Sequence, residues 1–177
     1  MRLFIGIIIP EELRENIRKM QKVFSEVVQA KFVEEENLHL CFSFLGEKNE
    51  NEVERIKEKM DFIAKNFKSF EMILKGIKLI PSKNFVRVIA LDAFDENRIS
   101  ESLRIEIVNE IGGDSKPLHL TLCRVKKIHD RKKFFEIFEK NKDFYAGKFL
   151  LSEIQLIKSK LRKEGPVYEI IHKAKLL

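Results

Sequence analysis

The chain has no tryptophan, only two cysteines, two tyrosines, four prolines and seven glycines among 177 residues. Two cysteines cannot build a disulfide framework. Cys41 and Cys123 each sit inside a strand-like stretch, so both are expected to be free thiols. No linker divides the chain by composition. No apolar run approaches the roughly 20 residues of a membrane span. The leading Leu3–Ile9 run is too short for a signal peptide and lacks a cleavage region. A cytoplasmic protein without membrane association is the resulting expectation. There is no glycine-rich phosphate loop and no Gly-x-Ser-x-Gly elbow. The four histidines are dispersed, without metal-ligand spacing to cysteines or carboxylates, so a site with neither metal nor cofactor is expected.

The hydrophobic fraction of 44% suffices for a packed interior, in one domain over residues 1–177 or two small lobes sharing a core. Charged residues reach 35%, with lysine, glutamate and isoleucine abundant, a composition that leans toward heat-stable proteins. The net charge of +6 is unevenly spread. Residues 1–114 carry 18 basic against 21 acidic side chains, and residues 115–177 carry 16 against 7. A polyanionic partner fits that asymmetry, as does a solvated lysine-rich surface.

Arg2–Ile9 reads as a buried strand. Pro10-Glu11-Glu12 then opens a helix with the stripe Leu13, Ile17, Met20, Phe24 and Val27. Glu34–Glu36 reads as a loop. Asn49 or Asn51 caps a second helix, with Val53, Ile56, Met60, Ile63 and Phe67 inward. Phe70–Ile80 and Phe85–Leu91 are expected to form a hairpin. Asp95–Asn97 opens a third helix, which Gly112-Gly113-Asp114 breaks, and Asp130 caps a fourth. Phe149–Ser159 and Val167–Lys173 read as a last strand pair. The order helix, strand, helix, strand, strand therefore occurs twice. This predicts an α+β fold of two similar lobes with a central cleft and a pseudo-two-fold axis.

The strand in each half carries the same Leu-His-Leu frame. In Pro117–Lys126, His119, Thr121 and Cys123 alternate with Leu118, Leu120 and Leu122. In Asn37–Gly46, His39, Cys41 and Ser43 alternate with Leu38, Leu40, Phe42 and Phe44. Parity places Ser43 beside His39 and puts Phe44 with the core set. Two opposed imidazoles suit phosphodiester chemistry, because near pH 7 one can accept a proton while the other donates. Thr121 shares the His119 face and can donate to a phosphate oxygen. Arg124 has the opposite parity and needs a bulge or a strand end to reach the cleft. His129 and His172 read as structural, Cys123 as gap-filling, and Tyr168 fits either lining or packing. Lys126, Lys127, Lys158, Lys160, Arg162 and Lys163 are candidate rim cations for a nucleic-acid backbone.

These features resemble the two-histidine phosphoesterases, in particular the branch of RNA 2′,3′-cyclic phosphodiesterases, also called 2′-5′ RNA ligases. The matching pieces are Arg2-Leu3-Phe4-Ile5-Gly6 with Pro10, Asn37-Leu38-His39-Leu40 with Phe44-Leu45-Gly46, Pro117–Leu122 with Arg124, and Leu161 with Gly165-Pro166-Val167-Tyr168. The resemblance implies two antiparallel-sheet lobes with helices on their outer faces and a V-shaped cleft between them, and metal-independent opening of cyclic phosphate ends on RNA, tRNA fragments among them, by a monomer. It implies His119 as general base and His39 as general acid, with Thr121 and Arg124 on the phosphate and Phe44 near the terminal nucleoside. Cys41 stands where the family has threonine or serine, a weaker donor. Poorer phosphate contact from that strand, or its supply by Ser43 or a backbone amide, is the expectation. Ligation of cleaved RNA halves, and RNA binding by a weakened site, are the alternative functions.

Overall fold

Apolar alternation and helical stripes become nine strands and four helices in a computed structural model describing residues 1–177. In chain order these are β1 (Arg2–Ile8), α1 (Glu11–Ser25), β2 (Val28–Phe32), a 3₁₀ turn (Glu35–Asn37), β3 (His39–Glu47), α2 (Glu50–Ala64), β4 (Phe70–Ser82) and β5 (Phe85–Phe94). Then follow α3 (Ile99–Glu110), β6 (His119–Ile128), α4 (Arg131–Asn141), β7 (Tyr145–Leu151), β8 (Glu153–Arg162) and β9 (Gly165–Lys175). No helix is long and apolar enough to cross a membrane.

The helix starts follow local chemistry. Asn49 caps α2 reciprocally: its side chain accepts from the Glu52 amide at 2.9 Å, and Glu52 accepts from the Asn49 amide at 2.8 Å. The Asp95 carboxylate accepts the Ile99 and Ser100 amides, each at 2.8 Å, at the head of α3. Asp130 accepts the Lys133 amide at 3.1 Å and starts α4. A cap of this kind stabilises a helix by about 1 kcal/mol.

All pairings are antiparallel, and the strand order is β7-β4-β5-β6-β3-β1-β8-β9, with β2 added along β6. The sheet divides where β6 meets β3, which pair only at Leu40 and Leu120. One lobe holds β3, β1, β8 and β9, with α2 and α3 packed on it. The other holds β6, β5, β4, β7 and β2, with α1 and α4. The two expected lobes are present, but they are not the two halves of the sequence. Each combines the histidine strand and following helix of one half with the preceding helix and the strand pair of the other. One continuous apolar cluster runs through both, from Phe24 and Phe134 to Met60 and Leu156.

Two strands were not expected. β2 follows directly on α1, and Val27 of the anticipated helical stripe lies beyond the helix end. The anticipated strand Phe149–Ser159 is two strands, broken at Ser152. Its first part pairs with β4 in one lobe and its second with β1 in the other, so the chain changes lobe there.

Candidate active site

The two histidine strands have the same local design. From each histidine onward, positions one, three and four are buried in both: Leu40, Phe42 and Ser43 on β3, and Leu120, Leu122 and Cys123 on β6. Strict alternation cannot give two adjacent buried residues, and a bulge supplies the reason. Against β1, Cys41 pairs with Gly6 and Ser43 with Ile5, which leaves Phe42 unopposed. Against β5, Thr121 pairs with Ala90 and Cys123 with Ile89, which leaves Leu122 unopposed. Each bulge reverses parity three residues after the histidine. The cleft face therefore receives His39, Cys41 and Phe44 from β3 and His119, Thr121 and Arg124 from β6.

Six of the seven anticipated site residues thus line one cleft of about 450 Å³. Arg124 reaches it by a bulge, the first of the two routes that its parity left open. Phe44, which parity alone assigns to the core, stands in the cleft wall with the Arg2 guanidinium 5.0 Å from its ring centre. Ser43 is the correction. It is fully buried, and its hydroxyl donates to the Gly112 carbonyl at 2.6 Å, on the far side of β3 from the cleft residues. It cannot stand in for the hydroxyl that Cys41 lacks.

Both imidazoles are oriented alike. Nδ1 of His39 lies 2.7 Å from the Asn37 carbonyl, and Nδ1 of His119 lies 2.8 Å from the Pro117 carbonyl. A carbonyl only accepts, so Nδ1 carries the hydrogen in each ring and Nε2 is left free to exchange a proton. The surroundings then differ. His39 packs against Phe4 at 4.9 Å between ring centres and meets Tyr168 edge-on at 5.2 Å. Burial lowers its pKa. The Asn37 hydrogen bond opposes that shift, and the charges of His119 and Arg124 add to it. His119 and Arg124 come from the other lobe and line the same cleft as His39.

The Cys41 thiol is pushed up to about 11 by burial and by the nearby Asp114 carboxylate, against a lowering contact from the Ser43 amide. It is a neutral thiol near pH 7, unsuited to nucleophilic attack. Cys123 is buried, fills space as expected, and is raised to about 12 by that burial. Both cysteines are free. His172 accounts for itself structurally, 2.8 Å from Asp61, where β9 meets α2.

Several cleft residues carried no assigned role in the sequence reading. Arg2 and Phe4 share the even-numbered face of β1, opposite buried Leu3 and Ile5, so their alternation was visible. Tyr168 lines the cleft as well as packing. Asn37 uses its carbonyl to fix His39 and its amide to hold the Pro166 carbonyl at 2.8 Å. Lys31 Nζ donates to the Glu164 carbonyl at 2.9 Å, so the β8–β9 turn of one lobe is tied to β2 of the other. The cationic lining is Arg2, Lys31, Lys116 and Arg124. None of the six lysines and arginines anticipated from the basic half of the chain lines the cleft.

The chain is similar to known proteins along its whole length. Residues 7–90 match the family described as LigT like Phosphoesterase. The chain is 38% identical over 175 residues to an RNA 2′,3′-cyclic phosphodiesterase of Methanocaldococcus jannaschii, covering 97% of this chain and 98% of that one. It is 30% identical over 176 residues to a protein of the same name from Methanothermobacter thermautotrophicus, covering 95% of each. A crystal structure of a protein from Thermus thermophilus superposes with a TM-score of 0.78 at 26% identity, over 99% of this chain and 98% of that one. With this identity sustained from end to end, on the same fold, the chain belongs to the LigT-like phosphoesterase family.

Proposed function

We propose that the protein hydrolyses terminal 2′,3′-cyclic phosphates on RNA to 2′-phosphates, with one histidine from each lobe. The observation that carries the reading is the pair of matched, bulged strands that present His39 and His119 to one cationic cleft. Relatives named RNA 2′,3′-cyclic phosphodiesterase support the substrate class.

The cyclic phosphodiester is an anion and takes the centre of the cleft. Nε2 of His119 accepts a proton from water as the water oxygen bonds to phosphorus. The bond from phosphorus to the 3′ oxygen breaks on the opposite side. Nε2–H of His39 gives its proton to that oxygen, and the 2′-phosphate monoester remains. His119 ends protonated and His39 neutral, and exchange with solvent resets both. The Thr121 hydroxyl and the Arg124 guanidinium hold the non-bridging oxygens. Cys41 occupies the position equivalent to Thr121 on the other strand and donates more weakly.

His39 is biased toward the neutral form in the empty cleft. The arriving phosphodiester supplies the negative charge that favours its imidazolium, so substrate binding brings in the proton that catalysis spends.

The test is an oligonucleotide with a 2′,3′-cyclic phosphate end, incubated with chelator. A 2′-phosphate product that is lost in both His39→Ala and His119→Ala supports the reading. Full turnover in either variant refutes the pairing. Tight, salt-sensitive RNA binding without turnover, unrescued by Cys41→Thr, would instead indicate a binding protein. A 2′-5′ junction formed with a 5′-hydroxyl RNA would add ligation.

A further inference from the structure

Two carboxylates line the cleft, Glu34 and Asp114, and the second stands near Cys41 on the histidine strand β3. Asp114 shares the cavity wall with Arg2, Lys31, Lys116 and Arg124, yet its carboxylate forms no salt bridge and no side-chain hydrogen bond within the protein. It lies close enough to Cys41 to disfavour the thiolate there. A carboxylate so near a phosphate site repels the phosphate unless the ligand supplies something in return.

Its placement is fixed by the backbone. Phe44 and Asp114 form an isolated antiparallel bridge: the Phe44 amide donates to the Asp114 carbonyl at 2.8 Å, and the Asp114 amide donates to the Phe44 carbonyl at 2.9 Å. Two hydroxyls stitch the flanking residues to β3. Ser43 donates to the Gly112 carbonyl at 2.6 Å, and Ser115 donates to the Phe42 carbonyl at 2.7 Å. Residues directly opposed in such a pair project their side chains on the same face, about 5 Å apart at Cβ. The Asp114 carboxylate therefore stands beside the Phe44 ring, and Arg2 is stacked on that ring.

We propose that Asp114 reads the terminal base, accepting hydrogen bonds from its Watson–Crick edge while Phe44 carries its face, and that guanine is the preferred base. The proposal rests on the cyclic-phosphate reading of the same cleft. At a 2′,3′-cyclic end both ribose hydroxyls are already esterified, so the terminal ribose has no hydroxyl donor to offer. The donors that remain on that nucleoside are base N–H groups. An ionised carboxylate only accepts. Guanine presents two adjacent donors, N1–H and the N2 amino group, which match the two carboxylate oxygens. Adenine and cytosine present one exocyclic amine. Uracil flanks its single N3–H with two carbonyl oxygens that repel a carboxylate. A stacked, splayed-out base read at this edge is the usual way a protein recognises single-stranded RNA.

Product nucleotides test this without turnover. Guanosine 2′-phosphate and uridine 2′-phosphate are titrated into wild-type and Asp114→Asn protein by calorimetry. The wild type should bind the guanosine nucleotide about ten-fold more tightly, the size that a bidentate base contact gives. In Asp114→Asn guanosine affinity should fall and uridine affinity should rise, because one change removes both the acceptor pair and the repulsion. Opposite signs cannot come from misfolding. Equal wild-type affinities, or a preference that survives in Asp114→Asn, overturn the proposal. Oligonucleotides ending in guanosine or uridine cyclic phosphate separate the two readings. If neither is opened, the phosphodiesterase reading fails, and the titration still decides the role of Asp114. If both are opened at equal kcat/KM, hydrolysis stands and base selection falls.

Discussion

Leu40 and Leu120 face one another across β3 and β6, and no other residues pair these two strands. Each follows its histidine by one position, so the single point where the lobes share backbone pairing is also the point that sets the separation of the imidazoles. Gly6 lies directly against it: a Cβ added there would collide with the Leu40 carbonyl oxygen. Gly6→Ala must push β1 and β3 apart. The expected cost is about 1–3 kcal/mol of stability. Activity should suffer more, because a displacement near 1 Å can cost about 100-fold in rate. Thermal melts with kcat on a cyclic-ended oligonucleotide check both. A stable variant with normal kcat would show that the Leu40–Leu120 pairing does not govern the histidines.

The acid and base roles are separable by pH. Loss of either histidine should reduce kcat by about 10²–10⁴-fold. The residual rate of His39→Ala should climb with pH, since His119 must then be neutral to act as base. The residual rate of His119→Ala should fall with pH, since His39 must be protonated. In the wild type, kcat/KM reports the free enzyme. Its decline toward high pH should follow the lowered His39 pKa, below the ordinary value of about 6.5. The matching limb of kcat should lie higher, because bound phosphodiester favours the imidazolium. A residual rate in His39→Ala that falls with pH would exchange the two roles.

With its thiol raised to about 11, Cys41 should resist alkylation at pH 7.5 and be labelled faster as pH rises. Cys41→Thr should restore the stronger donor. One added hydrogen bond of ~1 kcal/mol corresponds to about a five-fold gain in kcat/KM. Rapid inactivation by iodoacetamide at neutral pH, or a Cys41→Thr variant that loses activity, would contradict this account of the position.

Ser43→Ala separates a structural serine from a phosphate contact. Losing the bond to the Gly112 carbonyl should lower stability by about 1–3 kcal/mol, seen as a shift in denaturant midpoint. Affinity for inorganic phosphate should barely move. Weakened phosphate binding with stability intact would return Ser43 to the cleft.

Much of this was legible in the residues. Leu118, Leu120 and Leu122 mark a strand by alternation, and the repeated Leu-His-Leu frame announces the histidine pair. The same alternation misplaces Ser43 and Phe44, because the Phe42 bulge adds a residue without changing composition. Cys41 through Leu45 fit either face equally well, so nothing in their chemistry signals the step. β2 did leave a trace: Val28, Ala30 and Phe32 alternate with Gln29 and Lys31, hidden by a helical stripe whose spacing continues through Val27. The break at Ser152 left none, since Leu151 and Glu153 suit strand structure whichever lobe receives them. Asp114 read only as part of a helix breaker. Its pairing with Phe44 joins positions 70 residues apart, which no local pattern conveys.

The exchange of helices and strand pairs between the lobes has a bearing on how the molecule comes apart. Cutting the chain between Phe94 and Asp95 would leave each fragment with one histidine strand but without the strand pair that completes its lobe. Neither piece would own a finished hydrophobic interior. Limited proteolysis is therefore expected to degrade the protein outright instead of releasing a durable half, and melting should follow one cooperative curve. Two such fragments mixed together would regain activity only by re-entwining, since every catalytic group depends on scaffolding encoded on the other side of the cut.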